Sequence, residues 1–247
     1  RPSYFIEGGI LDEGAKLLVA GPEKSGKSLL VGQLALSLAA GANWLGFRVP
    51  QPQRVLYIQL EVAEWRLEER FKRQVQAFGV HVSDEMYQRL YAYTDFSFNL
   101  STAAQRDHLS ELVDIARPDV LILDPLYFLH SYDSNDESQM SILTQMLNGL
   151  LKEVKALVVV AHHAKDTQDL RMRRPAQRIS GSGVLSRWPD SILTLESRKP
   201  TEKATLSFTL RNAEAPPRTT MRLDPRTWMF EPVLEMTEAR PGQEEDD

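Results

Sequence analysis

Leu17-Leu18-Val19-Ala20-Gly21-Pro22-Glu23-Lys24-Ser25-Gly26-Lys27-Ser28-Leu29 is the stretch that decides the fold. It joins four apolar strand residues, a glycine-bounded turn and the start of a helix-like segment running to Ala40. A strand that enters such a turn and leaves as a helix aims several backbone N–H groups, and the positive end of the helix dipole, at one point where anions bind. Gly21 and Gly26 let the main chain wrap closely around a phosphate. Lys27 can reach the β- and γ-phosphate oxygens, and the Ser28 hydroxyl is placed to ligate Mg2+. Gly21, Pro22, Glu23, Lys24, Ser25, Gly26, Lys27, Ser28 and Leu29 are thus expected to form a nucleoside-triphosphate site.

Composition sets the frame around that site. With 247 residues, 42% hydrophobic and 26% charged, the chain is ordinary soluble globular material able to bury a core. No apolar run of about 18 residues and no charged-then-apolar leader is visible, so neither a membrane span nor a membrane partner is expected. The absence of cysteine excludes a disulfide framework, thiol catalysis and cysteine zinc sites, and it fits a reducing, cytoplasmic setting. A net charge of −5 argues against a globally basic nucleic-acid coat but leaves room for a local basic loop.

Taken in order, residues 1–15 read as a glycine-punctuated approach segment. After the phosphate loop, the broadly apolar helix 29–40 stops near Gly41, and Arg54 to Leu60 reads as a second central strand ending beside Glu61. A helix is expected from Val62 to Phe78 with Gly79 as C-cap, then a strand Leu90 to Thr94, then a helix from an N-cap at Ser101 to Ala116. Val120 to Asp124 is an apolar strand ending in a carboxylate, and residues 127–139 read as a polar, acidic loop. A helix from about Glu137 to Lys155 precedes the buried strand Leu157 to Ala161, which ends in His162-His163. Strands alternating with helices imply a parallel sheet with helices on both faces. Beyond residue 183 the strands Ile192 to Leu195, Ala204 to Leu210, Thr219 to Leu223 and Trp228 to Glu231 have turn-length connections, predicting an antiparallel extension at the sheet edge. Residues 1–235 are read as one α/β domain and 236–247 as a disordered acidic tail.

Ligands of open parallel sheets bind at the carboxyl ends of the strands, so the strand-end residues are the candidates for chemistry. Asp124 has the form of a metal-holding acid opposite Ser28, or of a cap before Pro125. Glu61 suits a general base that orients the attacking water, and equally the first turn of the next helix. His162 and His163 point to opposite sides if the strand continues, so at most one is expected to face the triphosphate; His163 is the candidate sensor of its end, against a structural role. Arg171, Arg173, Arg174 and Arg178 concentrate positive charge on one loop and suit a nucleic-acid backbone, or simply a solvated surface.

This arrangement resembles the RecA-like P-loop ATPase core of hexameric replicative helicases, of the plasmid RepA type and the DnaB type. The matching residues are the GPEKSGKS loop, Glu61 with Arg70 nine positions later, the LILD strand, His162-His163 and the segment RISGSGVLSRWPDSILTL. The resemblance implies ATP and Mg2+ as ligands, Glu61 as activator of water, and His163 as the link between the γ-phosphate and the DNA-binding loop. It further implies single-stranded DNA against the Arg171 to Arg178 loop, a hexameric ring, and Arg211 as an arginine finger into the neighbouring subunit's site. Read without the resemblance, Arg211 is a turn-flanking arginine.

Four functions fit: a ring-forming motor on single-stranded DNA, a filament-forming RecA- or RadA-like recombination ATPase, a small-molecule kinase with an arginine-rich lid, and a nucleotide-gated scaffold without useful turnover.

Overall fold

The computed structural model describes residues 3–78, 83–163 and 183–233, apart from the Arg198 side chain. Tyr4–Ile6 (β1) and Leu11–Asp12 (β2) pair antiparallel. They precede Lys16–Gly21 (β3), Lys27–Ala40 (α1), Val55–Gln59 (β4), Glu64–Phe78 (α2), Asp84–Tyr87 (α3), Leu90–Thr94 (β5), Ala103–Ala116 (α4) and Val120–Asp124 (β6). A 3-10 turn, Leu126–Phe128, leads to Glu137–Leu150 (α5), Ala156–His162 (β7), Val184–Arg187 (α6), Ser191–Lys199 (β8), Lys203–Leu210 (β9), Thr219–Leu223 (β10) and Phe230–Pro232 (β11).

Among the described residues the central sheet has nine strands in the order β11-β10-β9-β8-β3-β7-β6-β4-β5. From β8 to β5 every ladder is parallel, and β9, β10 and β11 add on antiparallel. The continuous apolar runs of β3, β4, β6 and β7 follow from this position, since both faces of a parallel sheet are covered. Leu17, Val19, Tyr57, Ile122 and Val158 pack on the face carrying α1 and α2. Leu18, Ile58, Leu121, Leu123 and Val159 pack on the face carrying α4 and α5. No helix among the described residues is long and apolar enough to cross a membrane.

The structure corrects several local expectations. Residues 1–15 are more than an approach segment, because burying Phe5, Ile6, Ile10 and Leu11 folds them into β1 and β2. The N-cap of α4 is Thr102, whose side chain accepts from Gln105 N, because Ser101 is engaged elsewhere and its Oγ accepts from Ser131 N at 3.1 Å. The helix begun at Glu137 ends at Leu150; Leu151, Lys152 and Glu153 then donate to carbonyls three residues back, which tightens the chain into a turn. The last strand starts at Phe230, since Trp228 sits at φ 56, a left-handed conformation no strand accommodates. Gly79, the loop with Arg171, Arg173, Arg174 and Arg178, and the 236–247 tail lie outside the described residues.

Candidate nucleotide site

β3 delivers the chain to Gly21, and residues 22–26 turn it into α1. Gly26 is the N-cap of α1 at φ 93 and carries no side chain to cap it, so the first-turn N–H groups are left to point into a cavity of about 700 Å3. A Cβ on Gly26 would meet Phe230 Cζ at 2.8 Å, and one on Gly21 would collide with the Leu195 carbonyl, so both turns require glycine. The floor of the loop therefore comes from β8 and β11, late in the chain.

Lys27 is 5% exposed, and its ammonium donates to the carbonyls of Gly21 (3.0 Å) and Pro22 (2.7 Å). It is thus folded back onto its own loop. Burial lowers its pKa to about 8, against the opposing charges of Asp124, Glu61 and Glu23. His162 Nδ1 lies 3.4 Å from the same ammonium, and burial, then the Lys27 charge, lowers the imidazole pKa. Because an ammonium only donates, Nδ1 accepts and the ring is neutral with its proton on Nε2. Both histidines border the cavity, where the sequence expects at most one. His163 donates its main-chain N–H to Gly21 O at 3.1 Å, but the ring that meets the phosphate-loop lysine is that of His162.

Asp124 is fully buried at the end of β6. Burial raises its carboxyl pKa; hydrogen bonds from Tyr57 and Ser28 and the charge of Arg70 oppose that, and Glu61 adds to it. Oδ2 accepts from the Tyr57 hydroxyl at 2.5 Å and from Gln59 Nε2 at 3.3 Å. Oδ1 is buried without a hydrogen bond of ordinary geometry among the described residues. A hard, buried oxygen on a carboxylate that the Ser28 side chain also meets fits Mg2+, which takes oxygen ligands. Glu61 is exposed at the cavity wall, with its main-chain N–H held by Gln59 Oε1. Arg70 of α2 lines the same cavity. Sequence reasoning missed Tyr57 and Gln59 as site residues; the available signal was two polar-tipped side chains, two positions apart, inside an otherwise apolar central strand.

Arg211 stands elsewhere. β9 runs antiparallel to β8, so Leu210 is level with Ser191, which is level with Leu17 near the start of β3. The half-exposed guanidinium of Arg211 lies 3.5 Å from Asp190 Oδ1 and donates to the Arg187 carbonyl. It is therefore at the end of the sheet opposite the phosphate loop of its own chain.

A family model described as AAA domain matches residues 1–169. No curated protein matches in sequence. The structure is similar to that of a KaiC-like protein from the hyperthermophilic archaeon Pyrococcus horikoshii OT3, with a TM-score of 0.63, 12% identity and 93% of each chain covered. It is also similar to a second solved structure, an ATPase domain, with a TM-score of 0.63, 14% identity, 90% of this chain and 86% of that one. RadB recombinase is similar at a TM-score of 0.61, with 19% identity, 90% of this chain and 91% of that one. These are RecA-like P-loop folds, so the α/β architecture implied by the sequence resemblance is the observed one.

Proposed function

The chain belongs to the AAA domain family, and from that premise we propose that it is an ATP-hydrolysing motor that works as a ring of copies, six in the family it resembles, on single-stranded DNA. The observation that carries the hydrolytic part is the convergence of Lys27, Ser28, Glu61 and Asp124 on one cavity from the ends of β3, β4 and β6.

In this reading the amides of residues 21–29 and the Lys27 ammonium hold the triphosphate. Lys27 exchanges the Gly21 and Pro22 carbonyls for phosphate oxygens. Ser28 and Asp124 would hold Mg2+, which would supply positive charge to the phosphate oxygens. Glu61 takes a proton from the attacking water. His163 senses the terminal phosphate, and His162, freed of Lys27, can follow the same event. The sheet order directs the nucleotide: Glu61 and Asp124 flank one side of the loop, so the base extends to the other, where Pro200 and Leu223 border the cavity. Arg211 cannot serve its own site from the far end of the sheet, so its contact with a nucleotide is made in a neighbouring copy. Arg171, Arg173, Arg174 and Arg178 hold the DNA backbone.

The test is ATP turnover with and without single-stranded DNA, alongside mass in solution. Turnover is expected to rise with assembly or DNA and to vanish in Lys27→Ala and Glu61→Gln. Hydrolysis indifferent to both substitutions would overturn the reading.

A further inference from the structure

Gln59 closes β4, is fully buried, and stands level with Asp124 in the parallel ladder between β4 and β6. Its side-chain oxygen accepts from two main-chain N–H groups, those of Glu61 and Val62 (3.1 Å), while its Nε2 donates to Asp124 Oδ2. Two N–H groups need an acceptor, which fixes the orientation of the amide. The Leu60 N–H adds a third tie, to the Asp124 carbonyl at 2.8 Å. The turn that carries Glu61 is thus fastened to Asp124 through main chain and side chain alike.

Tyr57 works from the same face of β4. Its hydroxyl is the second donor to Asp124 Oδ2, so two protein donors occupy that oxygen while Oδ1 stays buried without one. Loss of a group that orients a ligating carboxylate in this way typically costs roughly 10- to 100-fold in metal affinity or activity.

We propose that Gln59 is a positioning residue that locks the metal-side carboxylate, Asp124, and the water-side carboxylate, Glu61, into one unit, with Tyr57 fixing the rotation of Asp124. The inference rests on the nucleotide-site reading above. Gln59 acts on both acids, whereas Tyr57 acts on Asp124 alone, so the two residues differ in what their loss does. Without Gln59 the metal is held less tightly and the Glu61 turn loses its acceptor. Without Tyr57 only the metal side suffers.

The test uses the full chain and three readouts: affinity for a fluorescent ADP analogue in EDTA, Mn2+ affinity of the ADP-loaded protein from loss of the free-ion EPR signal, and ATP turnover at saturating Mg2+. Gln59→Met, which fills a similar volume, is expected to keep ADP affinity in EDTA within about twofold while weakening Mn2+ binding roughly 10-fold or more. Its turnover is expected to stay at least roughly 10-fold low even at saturating Mg2+. Tyr57→Phe is expected to weaken Mn2+ binding and to show a turnover loss that shrinks as Mg2+ is raised, unlike that of Gln59→Met. Wild-type Mn2+ affinity in Gln59→Met overturns the proposal, and so does a loss of ADP affinity in EDTA as large as the loss for Mn2+, which marks a merely structural role. Should Gln59→Met fail to fold, unchanged Mn2+ affinity in Tyr57→Phe, which lacks a single hydroxyl, also overturns it. A wild-type chain that binds ADP and Mn2+ without turning over ATP would defeat the hydrolysis reading instead, and the Mn2+ measurement would still decide the role of Gln59.

Discussion

The side chain of Gln33 in α1 closes both main-chain hydrogen bonds of Phe230: its Oε1 accepts from Phe230 N at 2.8 Å and its Nε2 donates to Phe230 O at 3.1 Å. One buried amide thereby stands in for a neighbouring strand and seats Phe230 beneath Gly26 of the phosphate loop. Gln33→Leu leaves two buried main-chain groups without partners, each costing about 1–3 kcal/mol. Denaturant unfolding is expected to show a loss of roughly 2–6 kcal/mol, accompanied by weaker binding of ADP. Undiminished ADP affinity in a clearly destabilised variant would show that Phe230 does not support the loop.

Lys27 makes the stability of the nucleotide-free protein depend on alkaline pH. Its folded pKa of about 8 lies below the ordinary 10.5 because the ammonium is buried. The unfolded chain therefore binds the proton more tightly, a penalty fully present below pH 8 and relieved as pH rises toward 10.5. Relative to Lys27→Met, the wild type is expected to gain up to about 3 kcal/mol of unfolding free energy across that window. A difference between the two proteins that does not change with pH would contradict the buried ammonium.

Asp124 separates stability from activity. Burial lifts its carboxyl above the ordinary 3.8, so at neutral pH the charge costs folding free energy. Asp124→Asn keeps an acceptor for the Tyr57 hydroxyl and removes that charge, and it is expected to melt at or above the wild-type temperature with turnover abolished. Asp124→Ala strands the Tyr57 hydroxyl and Gln59 Nε2, and calorimetry is expected to show a loss of roughly 2–4 kcal/mol. Equal melting of the two variants would mean that these bonds contribute little.

Arg211 gives a mixing test. If it completes a neighbour's site, Arg211→Ala and Lys27→Ala chains, each inactive alone, regain partial turnover when co-assembled, because some interfaces then join an intact phosphate loop to an intact finger. No recovery in co-assembled particles would count against a role in the neighbouring site.

The residues that proved legible in the sequence are those whose spacing alone encodes a main-chain path. The turn from Gly21 to Ser28 admits few conformations, and the apolar runs at Val55, Val120 and Ala156 are short, β-branched and separated by helical stretches, as buried parallel strands are. Tyr57 and Gln59 stand out in the sequence only as polar tips in an apolar strand, because their partner, Asp124, is far along the chain and it is the β4–β6 register that sets Gln59 level with it. Thr102 displaced Ser101 as a cap for the same reason, since Ser131 claims the Ser101 hydroxyl from a distant loop. Nothing in the sequence shows that Lys27 folds back toward β7, where its ammonium meets the His162 ring.

The phosphate loop is spelled by residues 21–28, yet Leu195 and Phe230 form what it rests on. During synthesis the ribosome thus delivers the motif long before its foundation, and Val19 must wait for both Val160 and Leu193 to flank it. Long-range pairing of this kind slows folding. A nascent chain halted before β8 is therefore expected to carry the whole motif and retain no nucleotide, so ligand binding reports completion of the polypeptide.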